Sequence, residues 1–224
     1  MSPVKQRLAL VGWLAALAVS YYFAARLGLG FRFHNSIIGI VWVANAVLVS
    51  ALVLTPPFRW PLVLIVTATA HAAAMLPEVE WWRVVWQIGA NAVLTVTMAT
   101  VLRRLVDLPL TFCTRRQVLA YVATAFGLPA LLALLTPAFV RAVLQLEQFG
   151  PLAAWVRVTL SNATAMLLVT PVILLWHITV CSPSFAFVCA SSWKPVPSWS
   201  SWWLWESSRS VPVPRLRVFR HSCC

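Results

Sequence analysis

Long apolar runs, each about the length of a membrane-spanning helix, follow one another from residue 8 to about residue 180 of this 224-residue chain. Hydrophobic residues make up 61% of the chain and charged residues only 10%, and the mean hydropathy of +0.85 far exceeds that of a water-soluble domain. A helix needs about 20 apolar residues to cross roughly 30 Å of hydrocarbon. We therefore predict an all-α, polytopic transmembrane helical bundle of about six spans, within a range of about six to eight.

Apolar length and helix-breaking residues set the expected bounds of the spans. Proline lacks the N–H donor and clashes with the preceding turn, so Pro56 and Pro77 are expected to end the second and third spans. Pro129 and Pro171 lie inside the fifth and sixth spans, where we expect kinks. Residues 137–150, between these two spans, are predicted to form an interfacial helix. The expected spans cover residues 8–29, 37–54, 60–76, 84–102, 118–136 and 152–176.

Basic residues in the short loops predict the orientation, because Lys and Arg are retained on the cytoplasmic side. Alternate loops hold most of them: Lys5, Arg7, Arg59, Arg103, Arg104, Arg115 and Arg116. The opposite loops are mixed, with Glu78, Glu80, Arg83, Arg141 and Glu147, and with Arg26 and Arg32 as a contrary pair. We predict that both termini lie in the cytoplasm.

The net charge of +12 arises from single or paired basic residues between apolar runs. Such residues are typical of topology signals and of contacts with anionic membrane lipids, whereas nucleic-acid binding needs a contiguous basic patch. The sequence therefore predicts lipid as a partner and no nucleic acid. The five cysteines form no CxxC or Cys/His metal spacing, and neither HExxH nor GxSxG occurs. We expect no metal, no cofactor and no enzymatic activity.

Six short stretches occur in an order that resembles a known family. They are YFAARLGL at 22–29, VWVANA at 41–46, RWP at 59–61, ANA at 90–92, LRRL at 102–105 and LLVTP at 167–171. Together they make residues 1–180 similar to the bacterial membrane-associated sensor domain of the MASE series, first type. The chain departs from the family at Val43, where a proline is usual, and around Asn162, where an acidic residue is frequent.

The resemblance implies a sensory, signal-input domain of a bacterial signal-transduction protein, in the inner (plasma) membrane. Such a domain detects a stimulus in or near the membrane and relays it to a cytoplasmic effector, without catalysis of its own. Its expected partners are membrane lipids, an unknown stimulus or small ligand, and either a second copy of the chain in a homodimer or a separate cytoplasmic effector.

Strongly polar side chains inside the spans are the candidate ligand-sensing residues, because they are costly in hydrocarbon. They are Arg26, Asn45, His71, Asn91 and Asn162, and Gln87 and Arg157 share their setting. Structural alternatives stay open for each. The amides could bond across helices, Arg26 could extend to the headgroups, and His71 could be a satisfied core histidine instead of a titrating group or a metal ligand.

Two other functions compete with sensing. A haem protein needs at least two buried histidines, and only His71 lies deep in a span, which argues against it. A small transporter or channel is the main alternative, since kinked fifth and sixth spans could form a discontinuous site. No repeat relates the two halves, and paired intramembrane carboxylates are missing from the sequence.

The apolar pattern stops near Cys181, so we divide the chain into an integral membrane sensory domain, 1–180, and a tail, 181–224. The tail is rich in Trp, Ser, Pro and Cys and shows neither helical nor strand periodicity. We expect that the reading frame changed near residue 181, which would leave a truncated sensor without its effector module. A tryptophan-rich interfacial anchor is the competing interpretation.

Overall fold

The computed structural model describes residues 3–31, 40–76, 78–106, 108–135 and 151–181. These residues form six α-helices and one short 3-10 turn, Pro57–Arg59, and no strand lies among them. The helices are α1 Pro3–Gly30, α2 Val43–Leu54, α3 Trp60–Met75, α4 Trp81–Leu105, α5 Arg115–Leu135 and α6 Pro151–Cys181. The predicted tail beyond Cys181 and the predicted interfacial helix at 137–150 lie outside the described residues.

Five of the helices are long and apolar enough to cross a membrane. They correspond to the predicted first, third, fourth, fifth and sixth spans, and each begins and ends within a few residues of the expected position. Helices α5 and α6 continue through Pro129 and Pro171 as single helices. The prediction of an all-α polytopic bundle of about six spans is confirmed.

The second span differs from its prediction. Residues 40–42 were expected to be helical, but α2 begins only at Val43 and has 12 residues, or about 18 Å of helix. That length is well short of the roughly 30 Å hydrocarbon layer. The backbone N–H of Trp42 donates to the carbonyl of Ser161, inside α6, at 3.2 Å. Helix α2 therefore begins within the bundle, against the side of another helix.

Helix α2 is the central element of the fold. It contacts α1, α3, α4 and α6, and nine of its twelve residues are buried. The outer helices instead expose large apolar side chains, such as Val11 on α1, Leu119 on α5 and Leu168 on α6. Apolar exposure of this kind suits a lipid environment. The polar side chains of α2 at Asn45 and Ser50 are therefore enclosed by the bundle.

Candidate functional site

Three asparagines from three helices meet at the start of α2. Asn45, in the first turn of α2, is completely buried. Its Nδ2 donates to Oδ1 of Asn91 on α4 at 3.1 Å and to Oδ1 of Asn162 on α6 at 2.7 Å. Nδ2 of Asn162 donates in turn to the carbonyl of Val158 at 2.9 Å, within its own helix. One amide thus fixes α2 against both α4 and α6.

A second group of polar side chains joins the asparagines through Tyr21 of α1. The Tyr21 hydroxyl lies 3.3 Å from Nδ1 of His71 on α3, and Nε2 of His71 lies 3.3 Å from Oε1 of Gln87 on α4. Asn91 interacts electrostatically with the Tyr21 hydroxyl, although its Nδ2 has no hydrogen-bond partner among the described residues. Tyr21 and His71 are both buried, so this polar chain crosses the bundle interior.

Trp42 completes a closed arrangement of these side chains. Its indole lies edge-on to the His71 ring, with centroids 6.0 Å apart, and it precedes Asn45 by three residues. The sequence of neighbours runs from Trp42 to His71, Tyr21, Asn91 and Asn45, and returns along α2 to Trp42. We call these five residues the polar circuit. Gln87 and Asn162 are bonded to it from outside.

Three atoms of the polar circuit have no hydrogen-bond partner among the described residues. They are Oδ1 of Asn45, Nδ2 of Asn91 and Nε1 of Trp42, all of them buried. Oγ1 of Thr159, one turn before Asn162 on α6, is also buried without a hydrogen-bond partner among the described residues. A buried polar group without a partner costs about 1–3 kcal/mol, so such groups commonly mark bound water or a ligand.

The polar circuit lies deep in the bundle. Asn91 follows the first residue of α4 by ten positions, which corresponds to about 15 Å along the helix axis. Helix α2 starts at the same depth in the bundle as Asn91, because Asn45 in its first turn bonds Asn91. The first N–H groups of α2, which carry partial positive charge, therefore lie inside the bundle. The arrangement offers donors, one acceptor and three aromatic rings to a small molecule at that depth.

The opposite end of α2 is held by Arg103 from α4. Nη2 of Arg103 donates to the carbonyls of Leu52, Val53 and Thr55 at 3.2, 3.0 and 2.5 Å. Trp60 lies against the guanidinium, 5.5 Å from ring centroid to Cζ, and its own Nε1 donates to the Leu52 carbonyl at 2.9 Å. Arg103, which the sequence predicts to be a topology signal, therefore also caps the carboxyl end of α2.

Arg26 lies apart from the other candidates. Its Nη1 is 2.7 Å from Oε1 of Glu78 and also donates to the carbonyl of Ala74 at 3.3 Å. The ion pair is partly exposed and closes the end of α3. The structure thus brings Asn45, Asn91 and Asn162 together, connects His71 to them through Tyr21, and places Arg26 in an ion pair at the helix ends.

Two members of the polar circuit, Tyr21 and Trp42, were not among the predicted site residues. The signal for Trp42 is a steric one. A Cβ on Gly28 would lie 2.8 Å from Cε3 and Cζ3 of Trp42, so only glycine at this position lets α1 approach the indole. Trp42 and Gly28 both belong to stretches that carry the family resemblance. Within the described residues no cluster of His, Cys, Asp or Glu could hold a metal ion.

Comparison with protein families, with known proteins and with solved structures finds no match to this chain. The resemblance to the sensor domain therefore rests on the six sequence stretches. In the fold, stretches from different helices lie next to one another: Gly28 beside Trp42, Asn45 beside Asn91, and Trp60 beside Arg103.

Proposed function

We propose that the chain is an integral membrane signal-input domain of a bacterial signal-transduction protein, located in the inner membrane and acting through a cytoplasmic effector. One observation carries the proposal. The stretches that resemble the sensor family pack against each other in pairs, although they come from different helices. Gly28 touches Trp42, Asn45 bonds Asn91, and Trp60 stacks near Arg103. Residues that a family retains because they build its fold are expected to pair in this way.

The helical architecture offers a route for a signal. Helix α6 contacts α2 and the residue before it through three polar links. The Trp42 N–H donates to the Ser161 carbonyl, Asn45 Nδ2 donates to Asn162 Oδ1, and Thr170 Oγ1 donates to the Ala46 carbonyl at 3.3 Å. Helix α6 then continues to Cys181 without a break. A change at the polar circuit would therefore act on α6 directly, and rigid helices transmit small shifts between sites.

A fusion protein tests this proposal. Residues 1–181 are joined to a diguanylate cyclase domain, and zero to four alanines are inserted at the junction. Each added residue rotates a continuous helix by about 100°, so the cyclase output should vary with a period of about 3.6 residues. The control series joins the same cyclase to one unrelated membrane span. Equal output from all junctions, in bundle and control alike, would contradict a role as an input domain.

A transporter or channel is the second candidate, and the start of α2 favours it. Broken helices that begin near the membrane midplane are typical of transporter binding sites, and α2 begins inside the bundle with non-helical residues before it. Solute flux into vesicles reconstituted with the purified protein, abolished by Asn45→Leu, would favour this candidate. Tight vesicles together with a periodic cyclase response would favour the sensor.

A further inference from the structure

The three unpartnered atoms of the polar circuit match one chemical group. They comprise two donors, Nδ2 of Asn91 and Nε1 of Trp42, and one acceptor, Oδ1 of Asn45. A hydroxyl group has one O–H donor and two acceptor lone pairs. A single hydroxyl within hydrogen-bond distance of all three atoms would satisfy them and keep no hydrogen-bonding capacity unused. A carboxylate would satisfy both donors but would leave the Asn45 oxygen facing another acceptor.

The packing of Trp42 directs its indole donor away from α1. The benzene edge of the indole, at Cε3 and Cζ3, is packed at Gly28 of α1. Nε1 lies on the other edge of the ring system and so points away from α1. Trp42 and Asn45 are both at most 9% exposed. Trp42 directly precedes the central helix α2, and Asn45 lies in its first turn. The unmet groups are thus enclosed by the bundle.

The surroundings favour an uncharged molecule with an apolar body. No Asp, Glu, Lys or Arg belongs to the polar circuit, and an ion without a partner in this setting would cost several kcal/mol. Tyr21, Trp42 and His71 provide ring surfaces around the polar atoms. Small aromatic or aliphatic alcohols also partition into lipid, which surrounds the bundle.

We propose that the polar circuit binds the hydroxyl group of a small uncharged alcohol or phenol. The oxygen accepts from Asn91 and Trp42, and the hydroxyl proton is donated to Asn45. The inference names the ligand class for the proposed sensor and rests on that function for its biological meaning. Binding itself can be measured without any signalling output.

The experiment uses the full chain in lipid nanodiscs and equilibrium dialysis with three radiolabelled probes. Phenol carries donor and acceptor, anisole lacks the donor, and toluene lacks both. Empty nanodiscs of the same lipid correct for partitioning. We expect saturable binding of phenol, weaker binding of anisole and none of toluene. Equal binding of all three probes, or no saturable binding of phenol, would overturn the proposal, and the latter is the outcome if the circuit holds only water.

Two variants locate the site. Trp42→Phe keeps a ring and removes the indole donor, and Asn91→Leu removes the amide donor. Loss of one hydrogen bond should weaken phenol binding about 3- to 12-fold in each. The matched control is Trp81→Phe, which changes an exposed indole at the start of α4 and should bind phenol as the wild type does. Unchanged affinity in both circuit variants would refute this site.

The outcome separates this inference from the proposed function. Phenol binding without any effect on the output of the cyclase fusion would support the site and count against the sensor. A junction-dependent cyclase output without phenol binding would support the sensor and overturn the hydroxyl site.

Discussion

A single amide, that of Asn45, determines how three helices meet. The side chain is completely buried and donates to Asn91 and Asn162. An apolar side chain could shift along a neighbouring helix with little change in energy, because lipid tails are about as apolar as leucine side chains. Hydrogen bonds lack that freedom. Asn45 therefore sets the register of α2 against α4 and α6.

Replacing this amide should weaken the bundle. Asn45→Leu removes two interhelical hydrogen bonds, and we expect the free energy of unfolding to fall by about 1–3 kcal/mol. Titration with a denaturing detergent, followed by circular dichroism, measures the change. Thr69→Val is the control, because the exposed Thr69 bonds only the Val66 carbonyl of its own helix. Equal stability of the two variants would show that the amide has no such role.

Gly28 gives a second prediction at the level of single residues. A methyl group there would lie 2.8 Å from the Trp42 ring, so Gly28→Ala should destabilise the protein by about 1–3 kcal/mol. Gly12→Ala and Gly89→Ala are matched controls, because a Cβ at either position has no atom within 4 Å. Both controls should be neutral or stabilising by up to about 1 kcal/mol. The same detergent titration compares all three, and a harmless Gly28→Ala would contradict the close packing.

At the scale of elements, the carboxyl end of α2 depends on Arg103. A planar guanidinium reaches three carbonyls and lies against Trp60, whereas an ammonium cannot do both. We expect Arg103→Leu to lower the free energy of unfolding by about 2–4 kcal/mol and Arg103→Lys to restore only part of it. Arg104→Leu, a change of the exposed neighbour, should have little effect. Full rescue by lysine would show that charge alone matters.

The helices were predictable from the sequence far better than the site was. Runs such as that of α1 need only length and hydropathy, and Pro56 marks the end of α2 by local chemistry. The start of α2 was not predictable, because Ile40 is as apolar as its helical neighbours. The helix begins where Trp42 bonds to Ser161, a contact distant in sequence. Tyr21 was missed for a similar reason, since only packing brings its hydroxyl to His71.

At the scale of the whole molecule, the two ends of the bundle differ in charge. Where α1 ends and α4 begins, the described charged residues form the ion pairs Arg26–Glu78 and Arg83–Glu80. Arg26, one of the two contrary arginines of the sequence prediction, is thus neutralised at this end, and Arg32 lies outside the described residues. The other end holds seven basic residues against one acidic residue in the sequence, Asp107: Lys5, Arg7, Arg59, Arg103, Arg104, Arg115 and Arg116.

This asymmetry leads to a prediction about orientation. Basic loops stay in the cytoplasm, so the loop between α4 and α5 should be cytoplasmic and the loop between α3 and α4 periplasmic. Alkaline phosphatase folds only where its disulfides form, outside the cytoplasm. Its fusion after Val79 should be active and its fusion after Thr114 inactive, with green fluorescent protein fusions giving the reverse. Active phosphatase after Thr114 would show that the bundle is inverted and that the amino terminus lies outside.

The double substitution Arg26→Gln and Glu78→Gln removes a pair with no net charge and should leave the orientation unchanged. Loss of Glu78 alone would expose Arg26 as a competing signal and should raise the fraction of inverted protein.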